Sequence, residues 1–274
     1  MPVDINAANN LARKVRLRCL KAVHSAKSSH ISSALSIADI LASLYSGILI
    51  FKNGNSSYPK RDRFILSKGH ACISLYSCLA ELGFFKKKLL SAYGQDGSLL
   101  MTHVSHRVPG VEISTGSLGH GLPFGCGKAL AAKHKNESWR TFVLLSDGEL
   151  NEGSNWETIL FAPQHNLDNL VVIIDYNKIQ SLGPVADIIQ LEPLSQKFKA
   201  FGWAVKEVNG HNLEELCAVF SSLPFEKRKP SCVIAHTIKG KGVDFMENEL
   251  KWHYSSPNKE QLSVALAQVK NSPK

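Results

Sequence analysis

The chain has 274 residues, 44% hydrophobic and 20% charged, enough interior for one large α/β domain or two small ones. The formal net charge is +9, but apart from Lys86-Lys87-Lys88 and Lys227-Arg228-Lys229 the basic residues are scattered. No aromatics interleave with them, which argues against nucleic acid as a partner and leaves a solvated basic surface or phosphorylated ligands. None of the six cysteines forms a C-x-x-C pair, which argues against zinc and redox motifs and reads as reduced, mostly buried thiols.

The N-terminus "MPVDINAANNLARKV" has no apolar signal region. Leu11, Val15, Leu20 and Val23 lie near helical spacing and predict a helix over residues 5–28. A second helix is expected over 35–47, stopping near Gly47. Its apolar stretch, Leu35 to Phe51, contains Asp39 and several serines and is too short to span a bilayer, so no membrane partner and a cytoplasmic protein are expected. "RFILSKGHACISLYSCLAELG" reads as a short strand, a Ser-Lys-Gly loop and a helix closed by Gly83. Residues 94–127 are rich in Gly, His and Ser, with little apolar periodicity, and a long loop of this kind usually carries function.

A helix is expected at 119–134, a strand at 141–146, a helix at 154–165 and a strongly apolar strand at 169–177. A looser stretch runs to 190, followed by a helix at 191–201, the strand "WAVKEV", the helix "NLEELCAVFSSL", the strand "SCVIAHTI" and a helical tail "NKEQLSVALAQVK". Nearly continuous apolar strands alternating with helices indicate an α/β fold, a mostly parallel sheet covered by helices on both faces. No repeat or linker divides the chain, so residues 1–274 are expected to form a single domain.

In such sheets ligands bind outside the carboxyl ends of the strands. One strand end here carries Asp147 after "FVLLS"; another carries Asn177 after "VVIIDY", 30 positions later. That separation suits one βαβ unit, so the two ends can be neighbours. A carboxylate, an amide carbonyl and a backbone carbonyl are hard oxygen ligands suited to Mg²⁺ or Ca²⁺. Gly148 has no side chain, so a phosphate can approach its N–H, and the helix after Ser154 points its positive end at the same anion. Each residue alone also reads as an ordinary turn former or cap; the pair makes the metal reading. Glu149 reads as a helix-start acid.

"SDGELNEGSNWE … NLVVIIDYNKIQ" resembles the thiamine-diphosphate-binding motif, Gly-Asp-Gly followed at a similar interval by Asn, and more closely transketolase in its split, two-chain form. Nearly the whole chain takes part: "SSHISSALSIADIL" is similar to the first histidine motif of that family, "LSKGHA" to the second, "PGVEISTGSLGHG" to the cofactor-approach loop and "KWH" to the last histidine segment. The resemblance implies that Asp147, the Asn177 side chain and the Ile179 carbonyl hold Mg²⁺ (or Ca²⁺), and that Gly148 donates its N–H to the diphosphate. It implies that His70 and His253 lie near the diphosphate and the active-site channel, and that Gly116 and Leu118 line the cofactor. His30 and His103 would contact sugar hydroxyls and assist proton transfer, and Glu152 would join a proton network between paired active sites. A neutral imidazole suits a base beside a hydroxyl.

Several residues depart from the family pattern. Ser146 stands for the first glycine, Ser29-His30-Ile31-Ser32 for Gly-His-Pro-Gly, Val104-Ser105 for a proline and an acid, and His120 for a common glutamine, while His106 is additional. These changes surround the substrate and not the metal, so an unusual sugar is expected. His103-x-x-His106 has no third ligand nearby and does not read as a zinc site. A full transketolase has two further domains, so the resemblance implies a C-terminal transketolase-like partner subunit with a Pyr domain, in an α2β2 heterotetramer. The six cysteines and several aromatics are candidates for that contact. Two alternatives stay open: a thiamine-diphosphate-dependent decarboxylase or oxo-acid dehydrogenase component, and a non-enzymatic module derived from the fold.

Overall fold

A computed structural model describes residues 3–271. The first helix, α1 (Ile5–Ala26), is capped by Asp4, whose carboxylate accepts from the Ala7 N–H at 3.0 Å, and it buries Leu11, Val15, Cys19 and Val23. Lys27, in the left-handed region, ends it.

The expected second helix starts earlier and is broken. It forms α2 (Ile31–Ser36) and α3 (Ala38–Ser43), then a wide π turn, Leu44–Ile48, in which Gly47 adopts φ 142°. Residues 31–45 are all buried, so no polar stripe marks where this helix begins.

The remaining elements fall close to their expected positions: β1 (Arg63–Leu66), α4 (Cys72–Glu81), α5 (Gly121–His134), β2 (Thr141–Ser146), α6 (Gly153–Gln164), β3 (Leu170–Tyr176), a single turn α7 (Val185–Ile188), α8 (Leu194–Ala200), β4 (Ala204–Asn209), α9 (Leu213–Ser221), β5 (Ser231–His236) and α10 (Lys259–Asn271). The turn α7 lies in the stretch expected to be irregular.

All strand pairs are parallel, in the order β1-β2-β3-β5-β4, with Ser146 opposite Asp175 and Tyr176 opposite His236. The period-2 alternation sends neighbouring residues into different cores. Phe142, Leu144, Val171, Ile173 and Val233 pack with α1 to α4, α9 and α10. Val143, Leu145, Val172, Ile174 and Ile234 pack with α5, α6 and α8. The sheet is therefore covered on both faces.

All six cysteines are free, buried thiols, five of them inside these cores. That corrects the expectation that they contribute to a partner contact: burial removes them from any surface. Among the described residues no helix is long and apolar enough to cross a membrane.

The long loop before α5 is stitched over the carboxyl end of β1. The Val104 N–H donates to the Gly69 carbonyl at 3.1 Å, the Thr115 N–H to the Val104 carbonyl at 3.2 Å, and the Thr115 hydroxyl to the Leu66 carbonyl at 2.6 Å. These bonds hold residues 103–118 beside the ends of β2 and β3.

Candidate active site

Asp147 follows β2 and is almost fully buried. Its Oδ1 accepts from the Gly148 N–H at 2.7 Å and its Oδ2 from the Lys178 N–H at 2.6 Å, so backbone from both strand ends fixes the carboxylate. Asn177 turns its amide oxygen back to the Ile179 N–H at 3.1 Å and donates from Nδ2 to Asp175 at 3.2 Å. The Ile179 carbonyl accepts from Lys239 Nζ at 2.7 Å. Thirty residues of separation therefore close into one cluster of hard oxygens.

These three residues line a cavity of about 200 Å³. His30, His70, His103 and His253 line it too, as do Gly116, Leu118 and Gly148. Glu152 does not: it is exposed at the start of α6, and its Cβ lies where a side chain on Gly119 would point. Gly148 has a second reason to be glycine, since a Cβ there would stand 2.8 Å from the Gln180 Cβ.

The four imidazoles form one cluster. The ring of His30 lies 5.1 Å from His70, 5.8 Å from His103 and 4.9 Å from His253. His30 itself sits at φ 70°, and its N–H donates to the His253 carbonyl at 2.8 Å, tying two distant segments together. Burial, followed by the charges of its neighbours, holds His30 down to about 4 and His253 down to about 3. Burial and Lys68 push His70 well below its ordinary value, and burial lowers His103. At pH 7 the cavity presents neutral rings. Asp147 moves the other way, up to about 6, through burial and the nearby Asp175 carboxylate.

Beneath the cavity lies a layer that the sequence pattern does not announce. Lys68, only 1% exposed, pairs with Asp175, which also accepts from Ser36 and Thr237. Burial alone would raise Asp175, but Lys68 and these hydroxyls outweigh it and hold the carboxyl below its usual range. The one sign of it in the chain is a carboxylate inside the apolar run "VVIIDY". Lys239 stands at the Ile179 carbonyl, and burial plus Lys68 lowers it to about 8.

Glu149 lies in the first turn of the short helical turn Gly148–Asn151, as a helix-start acid would, but it does more than that. It is fully buried and accepts from the Ser67 hydroxyl, from the Gly119 N–H at 2.9 Å and from the Ser146 N–H at 3.3 Å. It joins the ends of β1 and β2 to the loop that carries Gly116 and Leu118. His106 is held by Ser114, Nδ1 to Oγ at 2.8 Å, and does not line the cavity with His103.

A larger cavity of about 590 Å³ lies elsewhere, bordered by Arg13, Arg16, Asp39, His211 and Lys241. Part of its charge is spent internally: Arg16 pairs with Asp39, and His211 donates to the same carboxylate. His211 Nε2 accepts from the Ile238 N–H at 2.7 Å, which leaves the ring proton on Nδ1. The groups suited to chemistry converge on the smaller cavity.

Comparison with known proteins decides the family. Residues 7–271 match the family model described as the transketolase, thiamine diphosphate binding domain. The chain belongs to this transketolase family. It is 41% identical over 258 residues to an apulose-4-phosphate transketolase subunit of Phocaeicola vulgatus, covering 94% of this chain and 92% of that one. It is 35% identical over 268 residues to a 6-deoxy-6-sulfo-D-fructose transketolase subunit of a Clostridium species, covering 97% and 96%. The crystal structure of transketolase from Campylobacter jejuni superposes with a TM-score of 0.91 at 31% identity, over 97% of this chain but only 43% of that one. The transketolase-family chain thus spans nearly all of two proteins named as transketolase subunits and less than half of an undivided one.

The residues present fit the cofactor that the family description names. Gln180 Nε2 and His253 Nδ1, both at the cavity lining, are buried without a hydrogen-bond partner among the described residues. Buried polar atoms of this kind are costly unless a polar ligand meets them. Beside them, the Asp147, Asn177 and Ile179 oxygens form a donor set suited to a divalent cation.

Proposed function

We propose that this protein is the thiamine-diphosphate-binding subunit of a two-chain transketolase, moving a two-carbon ketol unit between phosphorylated or otherwise modified sugars. The observation that carries the reading is the convergence of four neutral histidines and three hard oxygens on one cavity at the ends of β2 and β3. The chain acts as one cofactor-binding domain, in the cytoplasm. The partner is a C-terminal transketolase-type subunit carrying the Pyr domain, and the pair assembles as α2β2.

Asp147, Asn177 and the Ile179 carbonyl would hold the divalent cation, Mg²⁺ (or Ca²⁺), for which hard oxygen donors are suited. Gly148, having no side chain, leaves room for the diphosphate, although its N–H, expected to donate to that group, is taken by Asp147 Oδ1; Lys239 and the start of α6 add positive potential. Gly116 and Leu118 flank the cofactor's rings. The bound cofactor supplies the electron sink that makes cleavage of a carbon–carbon bond beside a hydroxyl accessible.

The chain's own residues manage protons and orientation. Ser29 Oγ lies 3.0 Å from His30 Nδ1, which leaves Nε2 for a sugar hydroxyl. His30 and His103 take and return the hydroxyl proton as neutral bases. Their lowered values reflect burial and, for His30, the Lys239 charge as well, and a diphosphate beside Lys239 offsets part of that field. His70 and His253 fix the inner wall. Glu152, exposed at the start of α6, takes part in a proton network between subunits in this reading.

A cluster of imidazoles favours a polyhydroxylated substrate over a small oxo acid. The test is a titration of the assembled pair with thiamine diphosphate, with and without Mg²⁺. Binding should require Mg²⁺, and Asp147→Asn should weaken it by at least about tenfold, the cost of removing one charged ligand. Binding that is absent, or indifferent to Mg²⁺ and to Asp147, overturns the reading.

A further inference from the structure

Tyr254 directly follows His253 and lines the same cavity. It is 65% exposed, whereas His253 is buried and Asp147 is 1% exposed. Exposure therefore rises from the strand ends outward, and Tyr254 stands at the mouth. Its ring meets His253 edge-on at 4.7 Å and His30 at 5.9 Å.

This exposed ring is not on a loose loop. The turn Leu250–His253 buries Trp252, whose indole N–H donates to the Phe245 carbonyl at 2.7 Å. The Tyr254 N–H donates to the Lys251 carbonyl at 3.3 Å, and the His253 carbonyl receives the His30 N–H. A large amphipathic ring is thus held at the rim of a polar cavity with most of its surface uncovered.

The chemistry of ketol transfer says what such a ring can read. This step rests on the proposed reading of the site. Every donor delivers the same two carbons, so the deep end of the cavity cannot tell donors apart. Discrimination falls to groups that touch the rest of the carbon skeleton, and those groups lie toward the mouth. A sugar's C–H face packs on an aromatic ring, and the phenol adds one donor or acceptor.

We infer that Tyr254 is a specificity-determining residue, its ring forming the outer wall against which the sugar skeleton beyond the ketol unit packs. The test uses the assembled pair carrying Tyr254→Gly or Tyr254→Phe. Donors are fructose 6-phosphate, xylulose 5-phosphate and apulose 4-phosphate, against hydroxypyruvate, which carries the ketol unit on a carboxylate that leaves as CO₂.

In Tyr254→Gly the ratio of kcat/KM for the preferred ketose to that for hydroxypyruvate should fall about tenfold, entering through KM, while Tyr254→Phe stays within about threefold of the wild type. An unchanged ratio overturns the inference. So does a Phe variant as impaired as Gly, which assigns the effect to the hydroxyl. A Gly variant that no longer co-elutes with the partner on size exclusion also overturns it, because the ring then belongs to the subunit contact. A wild-type pair active on hydroxypyruvate but on no ketose counts against the inference alone; a pair inactive on every donor overturns the ketol-transfer reading itself.

Discussion

Glu149 and Asp147 stand two positions apart, and only one of them was legible. The position of Asp147 beside Asn177 can be read because it depends on a strand end and on an asparagine at a fixed interval, both visible in the chain. The partners of Glu149 come from Ser67 and Gly119, 82 and 30 residues away, and no local pattern announces them. Lys68 and Asp175 escaped for the same reason, being 107 residues apart. The consequence for Glu149 is specific. Glu149→Ala strands the Ser67 hydroxyl and the Gly119 and Ser146 N–H groups in the interior, a loss of about 3 kcal/mol when a buried charged acceptor is removed. Urea unfolding of the variant measures it, and a change below about 1 kcal/mol, typical of a surface acid, would leave it only the helix-start role.

The central strands are easier to read than the helices because their burial is unambiguous, unlike that of the half-exposed edge strand β4. β2 and β3 are buried at every position, and a short apolar run rich in β-branched residues and bounded by polar turns is the mark of a strand inside a parallel sheet. The same completeness hid the beginning of α2, where burial on all sides erases the amphipathic stripe that dates a helix. It also hid how the long loop docks. Gly69, just past β1, is where that loop comes closest: a Cβ there would lie 2.3 Å from the Thr115 carbonyl oxygen. Backbone cannot retreat as a side-chain tip can, so Gly69→Ala must lift Thr115 from β1 and with it Gly116 and Leu118. The cost of such overpacking is about 1–3 kcal/mol. Faster amide exchange confined to residues 103–118, together with weaker cofactor binding by the assembled pair, is the expected signature. Exchange unchanged in that loop would mean the contact is not what seats it.

At the level of the whole molecule the cavity makes stability depend on pH, and the direction follows from the histidines. His30, His70, His103 and His253 all titrate below 6.5 in the native state, whereas in the unfolded chain they bind protons near 6.5. As pH falls below 6.5 the unfolded chain therefore takes up protons that the native chain refuses, and stability drops. Their contribution is complete above 6.5 and is progressively lost toward 4. Asp147 and Glu149 act in the opposite sense, since burial raises both and the native state binds their protons first. Four groups oppose two across this window. The net charge of +9 at pH 7 also grows on acidification and adds self-repulsion in the same direction. For the chain free of cofactor, the urea midpoint should decline steadily from pH 6.5 to 4.5. Replacing His30 and His253 by Gln, which cannot titrate, should flatten that decline. A midpoint that holds constant or rises across the window would mean that the imidazoles are not shielded from protons, and the neutral cluster on which the proton-handling role depends would be lost with it.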